Sequence, residues 1–221
     1  MHRRSSRRRT ALLLAAAIAA AGPALTACGD EAHPGAAAVV GDQRITVAQL
    51  ESRVGEVRAA QRAATVDDAQ YEQAVAGTGR LTRDTLHGMV LDRVLDHASA
   101  DAGVRVTRKE IQGFRASLEQ QAGGAEALRA AWLQQYGVPP QRLEDNLRTE
   151  LQAQKLAAAL GADMSDEQGQ AVFWQALSKA SGELDVDLNP RYGTWDVERS
   201  SRADATTPWV REVTAAAEQP A

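Results

Sequence analysis

Residues 38–54 read AVVGDQRITVAQLESRV, and this stretch decides how the fold begins. Two short extended runs, VV and RI, flank a Gly41-Asp42 turn, which predicts a small β-hairpin. Thr46 is followed three residues later by Gln49, which is the spacing of a capping box at a helix N-terminus. The sequence therefore predicts a hairpin that runs directly into a helix.

Most of the chain after this stretch has helical periodicity. Residues 81–102 carry a broad apolar face, and Gly103 is placed to end that helix. Thr107 and Glu110 form a second capping box, which opens the next helix. Further helices are predicted at 125–136, at about 140–160 and from Ser165 to 180. In residues 184–188 apolar and polar residues alternate, which predicts a strand with one solvent-exposed face. We therefore expect a mainly α-helical fold.

The first 27 residues have the pattern of an export signal. Residues 1–10 contain five arginines and no acidic residue, and residues 11–21 are eleven apolar residues in a row. A permanent transmembrane helix needs about 20 apolar residues, so this run is too short to remain as an anchor. Residues 1–27 are therefore predicted to be a signal peptide.

The last residues of this signal, Leu25-Thr26-Ala27, precede Cys28, the only cysteine in the chain. The four residues resemble the bacterial lipobox, in which the cysteine thiol is acylated and the signal is cut just before it. The resemblance implies that Cys28 is the lipidated N-terminus of the mature protein and holds it on the extracytoplasmic face of the cell membrane. An ordinary export signal that leaves a free thiol is the alternative. Residues 28–37 then form a polar tether.

The charge of the mature chain excludes some partners. All 29 acidic residues follow Cys28, and so do 20 of the 25 basic residues, which gives a net charge of −9. An acidic protein of this kind is not expected to bind nucleic acid or to dock on anionic lipid by charge alone.

No pattern of catalytic or cofactor-binding residues is present in the sequence. It lacks a glycine-rich phosphate loop, a metal-binding cluster and a plausible Ser/His/Asp arrangement. His87 and His97 are ten residues apart on one predicted helix, about 15 Å along its axis, so they cannot share a metal ion. The sequence therefore predicts no catalytic residue, no metal and no cofactor.

Three stretches carry a family resemblance: VVGDQRIT (39–46), GVRVTRKEI (103–111) and YGVPPQRLEDNLRTEL (136–151). In this order, they resemble the N-terminal chaperone region of SurA/PrsA-type extracytoplasmic foldases. The resemblance implies one helical chaperone domain over 38–196, with a two- to three-stranded antiparallel sheet made by the hairpin and residues 184–188. Residues 197–221 are predicted to be a disordered tail.

One departure from this family bears on activity. Many members insert a parvulin-type prolyl isomerase domain before the last helix, but here only residues 162–165 separate the two predicted helices. Parvulin active sites also use histidines, and no histidine follows His97. The resemblance is therefore not extended to isomerase activity, which is the least favoured hypothesis.

What the resemblance implies is an ATP-independent chaperone, or holdase, whose partners are unfolded or secreted polypeptides. Large side chains on the middle helices are candidate client contacts: Phe114, Leu118, Trp132 and Tyr136. Their spacing fits a buried core well, and a core role is the favoured interpretation of these four residues. The same fold could instead serve as a scaffold for one specific partner. The sequence leaves the oligomeric state undetermined.

Overall fold

In the computed structural model, the residues described are 35–65, 67–76 and 80–203. They contain seven α-helices and five short strands, so the predicted mainly helical fold is confirmed. The helices are α1 (Val47–Ala64), α2 (Asp68–Ala76), α3 (Leu81–Asp101), α4 (Arg108–Ala122), α5 (Ala125–Tyr136), α6 (Leu143–Ala159) and α7 (Glu167–Glu183). The strands are β1 (Ala36–Val40), β2 (Gln43–Thr46), β3 (Asp187–Leu188), β4 (Thr194–Asp196) and β5 (Ser201–Ala203).

The N-terminal hairpin forms as predicted and extends into a sheet. Strand β1 lies between β2 and β3, and both pairings are antiparallel. Ala38 pairs with Ile45 on one side and with Leu188 on the other. Gly41 opens the turn with φ of +59°, a conformation that suits glycine because it has no Cβ. The small antiparallel sheet implied by the family resemblance is therefore present.

The third strand is shorter than its sequence pattern predicts. Helix α7 continues to Glu183, so only Asp187–Leu188 of the alternating run pairs as a strand. The backbone N–H of Leu184 still bonds to the carbonyl of Ala180, which keeps this residue at the helix end. Leu184 packs against the main core from that position. Alternating apolar residues can thus be buried by a helix end and a turn as well as by a strand.

Both predicted capping boxes are present. Thr46 N–H donates to Gln49 Oε1 at 2.9 Å, and Gln49 N–H donates to Thr46 Oγ1 at 3.1 Å. At the start of α4, Thr107 N–H donates to Glu110 Oε2 at 2.7 Å. Hydrogen bonds from Lys155 and then from Thr107 lower the pKa of Glu110 to about 2. These reciprocal bonds satisfy backbone N–H groups that a helix start leaves without partners.

The main core lies between the sheet and helices α1, α3, α6 and α7. Val90 and Val94 of α3 are fully buried in it. Leu50, Leu156 and Leu177 enter the same core from α1, α6 and α7. Burying one such side chain contributes about 1.5–3 kcal/mol. Helix α3 contacts α1, α6 and α7, so it is the helix around which the others pack.

A second, smaller core joins α5 to the first half of α6. Its buried residues are Leu128, Leu143 and Leu147. Helix α4 covers it from one side. The molecule therefore has two apolar clusters, and α6 contributes to both.

The folded region is longer at both ends than predicted. Strand β1 begins at Ala36, inside the predicted tether, and β5 lies inside the predicted disordered tail 197–221. Trp195 is half-buried: its indole N–H donates to Ser181 Oγ, and its ring lies 5.6 Å from the ring of His87. The polar composition after residue 196 suggested disorder, but pairing of β5 with β4 orders residues up to 203. Residues 204–221 and the predicted signal lie outside the described residues.

Candidate functional site

A cleft of about 490 Å³ opens between α1, α3, the end of α5 and the start of α6. Apolar and charged groups share its walls. The residues that matter most for its shape and chemistry are Arg53, Glu56, Gly88, Met89, Asp92, Tyr136, Arg142 and Thr149. It is larger than the hollow beside it, and we take it as the candidate site.

Local sequence explains why the helices leave this space. Gly88 in α3 has no side chain, and a Cβ added there would meet no heavy atom within 4 Å. At the other wall, Gly137 ends α5 in the left-handed region with φ of +65°. Pro139 and Pro140 then lead through a single turn of 3-10 helix (Pro140–Arg142) into α6. The redirected chain therefore faces α3 across the gap.

An ion pair holds the α1 wall to the start of α6. Arg142 Nε donates to Glu56 Oε2 at 2.7 Å, and Arg142 Nη2 donates to Glu56 Oε1 at 2.8 Å. Arg142 Nη1 also donates to Asp145 Oδ2 at 3.2 Å. These hydrogen bonds, donated by Arg142, lower the pKa of Glu56 and raise the pKa of Arg142. Bidentate pairs of this kind fix orientation as well as charge.

A polar seam joins α3 to α6 at the base of the cleft. Thr149 Oγ1 donates to Asp92 Oδ1 at 3.3 Å. One turn further along α3, Asp96 Oδ1 accepts from Gln152 Nε2 at 3.0 Å and from Arg148 Nη1 at 3.3 Å. Burial raises the pKa of Asp92, and the hydrogen bond from Thr149 opposes that effect. Hydrogen-bonding groups therefore line the floor of the cleft together with Met89.

A second hollow of about 440 Å³ continues the cleft toward the start of α1. It shares Arg53, Met89, Asp92 and Arg142 with the first. Arg93 is added to the lining here, and burial lowers its pKa. The two hollows thus form one groove beside α3, with arginines and Asp92 where they meet.

The four predicted client contacts separate into two groups. Phe114, Leu118 and Trp132 are half-buried and pack against the second core. Trp132 also donates its indole N–H to Asn146 Oδ1 at 2.9 Å. Tyr136 is different, because it is 57% exposed and lines the cleft. Its ring meets that of Trp132 edge-on, with the centroids 5.3 Å apart.

The other predicted site residues cannot be placed, because Leu25, Thr26, Ala27 and Cys28 lie outside the described residues. Sequence reasoning also missed the charged groups of the cleft. Glu56 and Arg142 are 86 residues apart, and nothing local marks either one as the partner of the other. Within the described residues, no helix is both long enough and apolar enough to cross a membrane.

The described residues define a class of fold: a mainly helical domain with small antiparallel sheets and an open groove beside α3. The family model described as the SurA-like N-terminal domain matches residues 3–157, more than half of the chain. The chain therefore belongs to the SurA-like N-terminal domain family, which is chaperone-like, and the resemblance predicted from the motifs is confirmed. No curated protein and no solved structure matches the chain.

The family match ends inside α6, although the fold does not. Helix α7 and strands β3 to β5 follow residue 157. Phe173, Leu177 and Leu188 of this later part are buried in the main core beside α3. The C-terminal part thus completes the hydrophobic core that the matched part begins.

Proposed function

We propose that this protein is an ATP-independent holdase that binds unfolded or secreted polypeptides in the cleft beside α3. The observation that carries the proposal is the cleft itself, which combines Tyr136 and Met89 with hydrogen-bonding groups such as Arg53 and Asp92. An unfolded chain offers both apolar side chains and backbone N–H and C=O groups, so a mixed lining suits it. Membership of a chaperone-like family supports this proposal.

The size of the cleft suits transient binding. Small-molecule and peptide pockets typically have volumes of about 300–1,000 Å³, so this cleft accepts a few residues of a client at a time. Each Å² of apolar surface buried contributes only about 25 cal/mol, and ordering the client offsets part of that gain. Binding is therefore expected to be weak and reversible, as a holdase needs if it is to release its clients.

The second part of the proposal is that Cys28 is lipidated and anchors the chain on the extracytoplasmic face of the cell membrane. The arginine-rich start, the eleven-residue apolar run and the Leu25-to-Cys28 motif support it. An acylated N-terminal cysteine with more than one chain gives stable membrane binding. Expression of the full chain and of Cys28→Ser, followed by membrane fractionation and mass spectrometry, tests this part. An unmodified Cys28, or a membrane-bound serine variant, would contradict it.

Holdase activity is tested with the chain from residue 28 onward carrying Cys28→Ser, which includes the whole compact unit from Gly35. Several unrelated unfolded clients are diluted with this protein, and light scattering follows their aggregation.

The structure offers a matched pair of variants. Gly88→Leu fills the cleft, whereas Gly113→Leu adds the same side chain to an exposed position of α4, where a Cβ also meets no atom within 4 Å.

Both leucine variants are expected to be as stable as the original or about 0.5–1 kcal/mol more stable, because glycine disfavours a helix interior. Suppression of aggregation for most clients, lost in Gly88→Leu and kept in Gly113→Leu, is the expected result. Suppression of none would overturn the holdase proposal and favour the alternative, a scaffold for one partner. Equal activity of the two variants would place client binding outside the cleft. A proline-peptide assay on the same samples tests the isomerase hypothesis, for which no activity is expected.

A further inference from the structure

Three side chains that can bind a metal ion meet where the C-terminal ends of α3 and α7 come together. His97 and Asp101 are one turn apart on α3, so they project from the same face of that helix. Glu183 is the last residue of α7. His97 Nε2 lies 3.1 Å from Glu183 Oε2 and 3.9 Å from Asp101 Oδ2. All three ligand atoms lie within 4.8 Å of one another.

Imidazole nitrogens and carboxylate oxygens are both ligands that zinc accepts, and a catalytic-type zinc site has three protein ligands. In a tetrahedral zinc site with bonds of about 2.1 Å, neighbouring ligand atoms are about 3.4 Å apart. The 3.1 and 3.9 Å separations bracket this spacing, so small side-chain rotations would suffice to bind an ion. The three side chains are 35%, 49% and 43% exposed, which leaves a fourth position open to water.

We propose that His97, Asp101 and Glu183 form a binding site for zinc. No local pattern marks this site, because Glu183 is 86 residues from His97 and the two histidines of α3 are too far apart to act together. The cleft is lined by the part of α3 before His97, whereas this site lies at the C-terminal end of the helix. The site is therefore independent of the proposed client binding. A bound ion would cross-link α3 to α7.

A positively charged side chain, Lys179, already pairs with these carboxylates. Lys179 Nζ lies 2.8 Å from Glu183 Oε1 and 3.5 Å from Asp101 Oδ2. Its side chain is 65% exposed, so it can swing into solvent when a cation arrives. Lys179 is therefore a competitor of zinc for the two carboxylates. Removal of Lys179 should therefore strengthen metal binding. If the three side chains were only a structural ion cluster, removal of this lysine would have no such effect.

The test uses the chain from residue 28 with Cys28→Ser, so that no thiol binds the metal. Isothermal titration calorimetry with Zn²⁺ measures affinity, and thermal unfolding with and without Zn²⁺ measures stabilisation of the α3–α7 contact. The variants are His97→Ala and Lys179→Met, with His33→Ala as the matched control that removes a histidine elsewhere in the chain. His97 is partly exposed, so its replacement is expected to leave the fold intact.

We expect one Zn²⁺ per chain and a higher unfolding temperature in its presence. His97→Ala should weaken binding at least about tenfold and abolish the thermal shift, Lys179→Met should strengthen binding, and His33→Ala should change neither. Absence of a measurable heat and of a thermal shift, or equal affinity of His97→Ala and the parent protein, would overturn the proposal. Weaker binding by Lys179→Met would overturn the assignment of this lysine as a competitor.

Discussion

Arg142 at the start of α6 and Glu56 in the middle of α1 form a two-point ion pair, with N–O distances of 2.7 and 2.8 Å. Both side chains are largely shielded from solvent, at 32% and 23% exposed. The pair links α1 to the start of α6 and so fixes the distance between two walls of the cleft. It is thus a structural connection on which the shape of the candidate site depends.

Replacing Arg142 by Met is expected to lower the free energy of unfolding by about 1–2 kcal/mol. A shielded bidentate pair is worth more than an exposed one, and the change leaves the Glu56 carboxylate without its partner. Urea unfolding at pH 7 measures the loss. Glu56→Gln and the double variant complete a cycle that isolates the coupling between the two residues.

Arg129→Met is the matched control for Arg142, because Arg129 pairs with Glu126, which is 89% exposed. Its removal should cost about 0–1 kcal/mol. A loss for Arg142→Met no larger than this control would show that the pair does not hold the cleft wall. The lowered pKa of Glu56 adds a pH signature: its contribution is present above pH 4.5 and is lost as the pH falls through its folded value.

Tyr136→Ala is expected to weaken client binding by about threefold to tenfold, as truncation of an exposed aromatic at a binding surface typically does. Its effect on stability should stay within about 1 kcal/mol because the side chain is mostly exposed. Aggregation assays and urea unfolding measure the two effects. Trp174→Ala is the control, since Trp174 is 44% exposed on α7 and does not line the cleft. Equal losses from both variants would argue for a diffuse apolar surface.

The stability of the protein should fall as the pH drops below 6.5, through His87. Burial, followed by the nearby charge of Arg202, lowers the pKa of His87 below its ordinary value of 6.5, while Asp84 acts in the opposite direction. Between the folded and unfolded pKa values the unfolded state binds the extra proton, so stability rises with pH across that window. Urea unfolding at pH 7.5 and 5.5 measures the change.

The matched variant for this effect is His87→Phe, which keeps an aromatic ring against Trp195 but does not titrate. The loss of stability between pH 7.5 and 5.5 should be smaller in this variant than in the parent. His33→Ala, which removes a histidine that precedes the described residues, should leave the pH profile unchanged. An identical profile in His87→Phe and the parent would mean that His87 does not sense pH.

Leu177→Ala should lower the free energy of unfolding by about 2–5 kcal/mol, even though Leu177 lies beyond the family match. The side chain is 2% exposed in the main core, so its truncation leaves a cavity beside α3. Val172→Ala on the same helix is the control, since Val172 is 38% exposed and should cost under about 1 kcal/mol. Thermal and urea unfolding of both variants decide whether α7 belongs to the cooperative fold.

The N-terminal hairpin and most of the helices of this protein follow from its sequence alone. Thr46 with Gln49 and Thr107 with Glu110 predicted two helix starts, and both form with the expected hydrogen bonds. The hairpin at Gly41 and the long helix that ends before Gly103 were equally visible. Caps, turns and helical periodicity involve residues within four positions of each other, so their signals are contained in short stretches. The family membership is carried by those same stretches.

Only the tertiary structure decided what the large side chains and the charges do. Phe114 and Tyr136 look alike as members of apolar faces, yet one packs on the second core and the other lines the cleft. The pairing of Glu56 with Arg142, and the meeting of His97 with Glu183, join residues 86 positions apart. Strand β5 was not predicted either, because its pairing with β4 cannot be recognised from the polar residues of this segment. Such contacts depend on how the helices pack around α3. Packing brings together residues that are distant in sequence, and no local pattern predicts which of them meet.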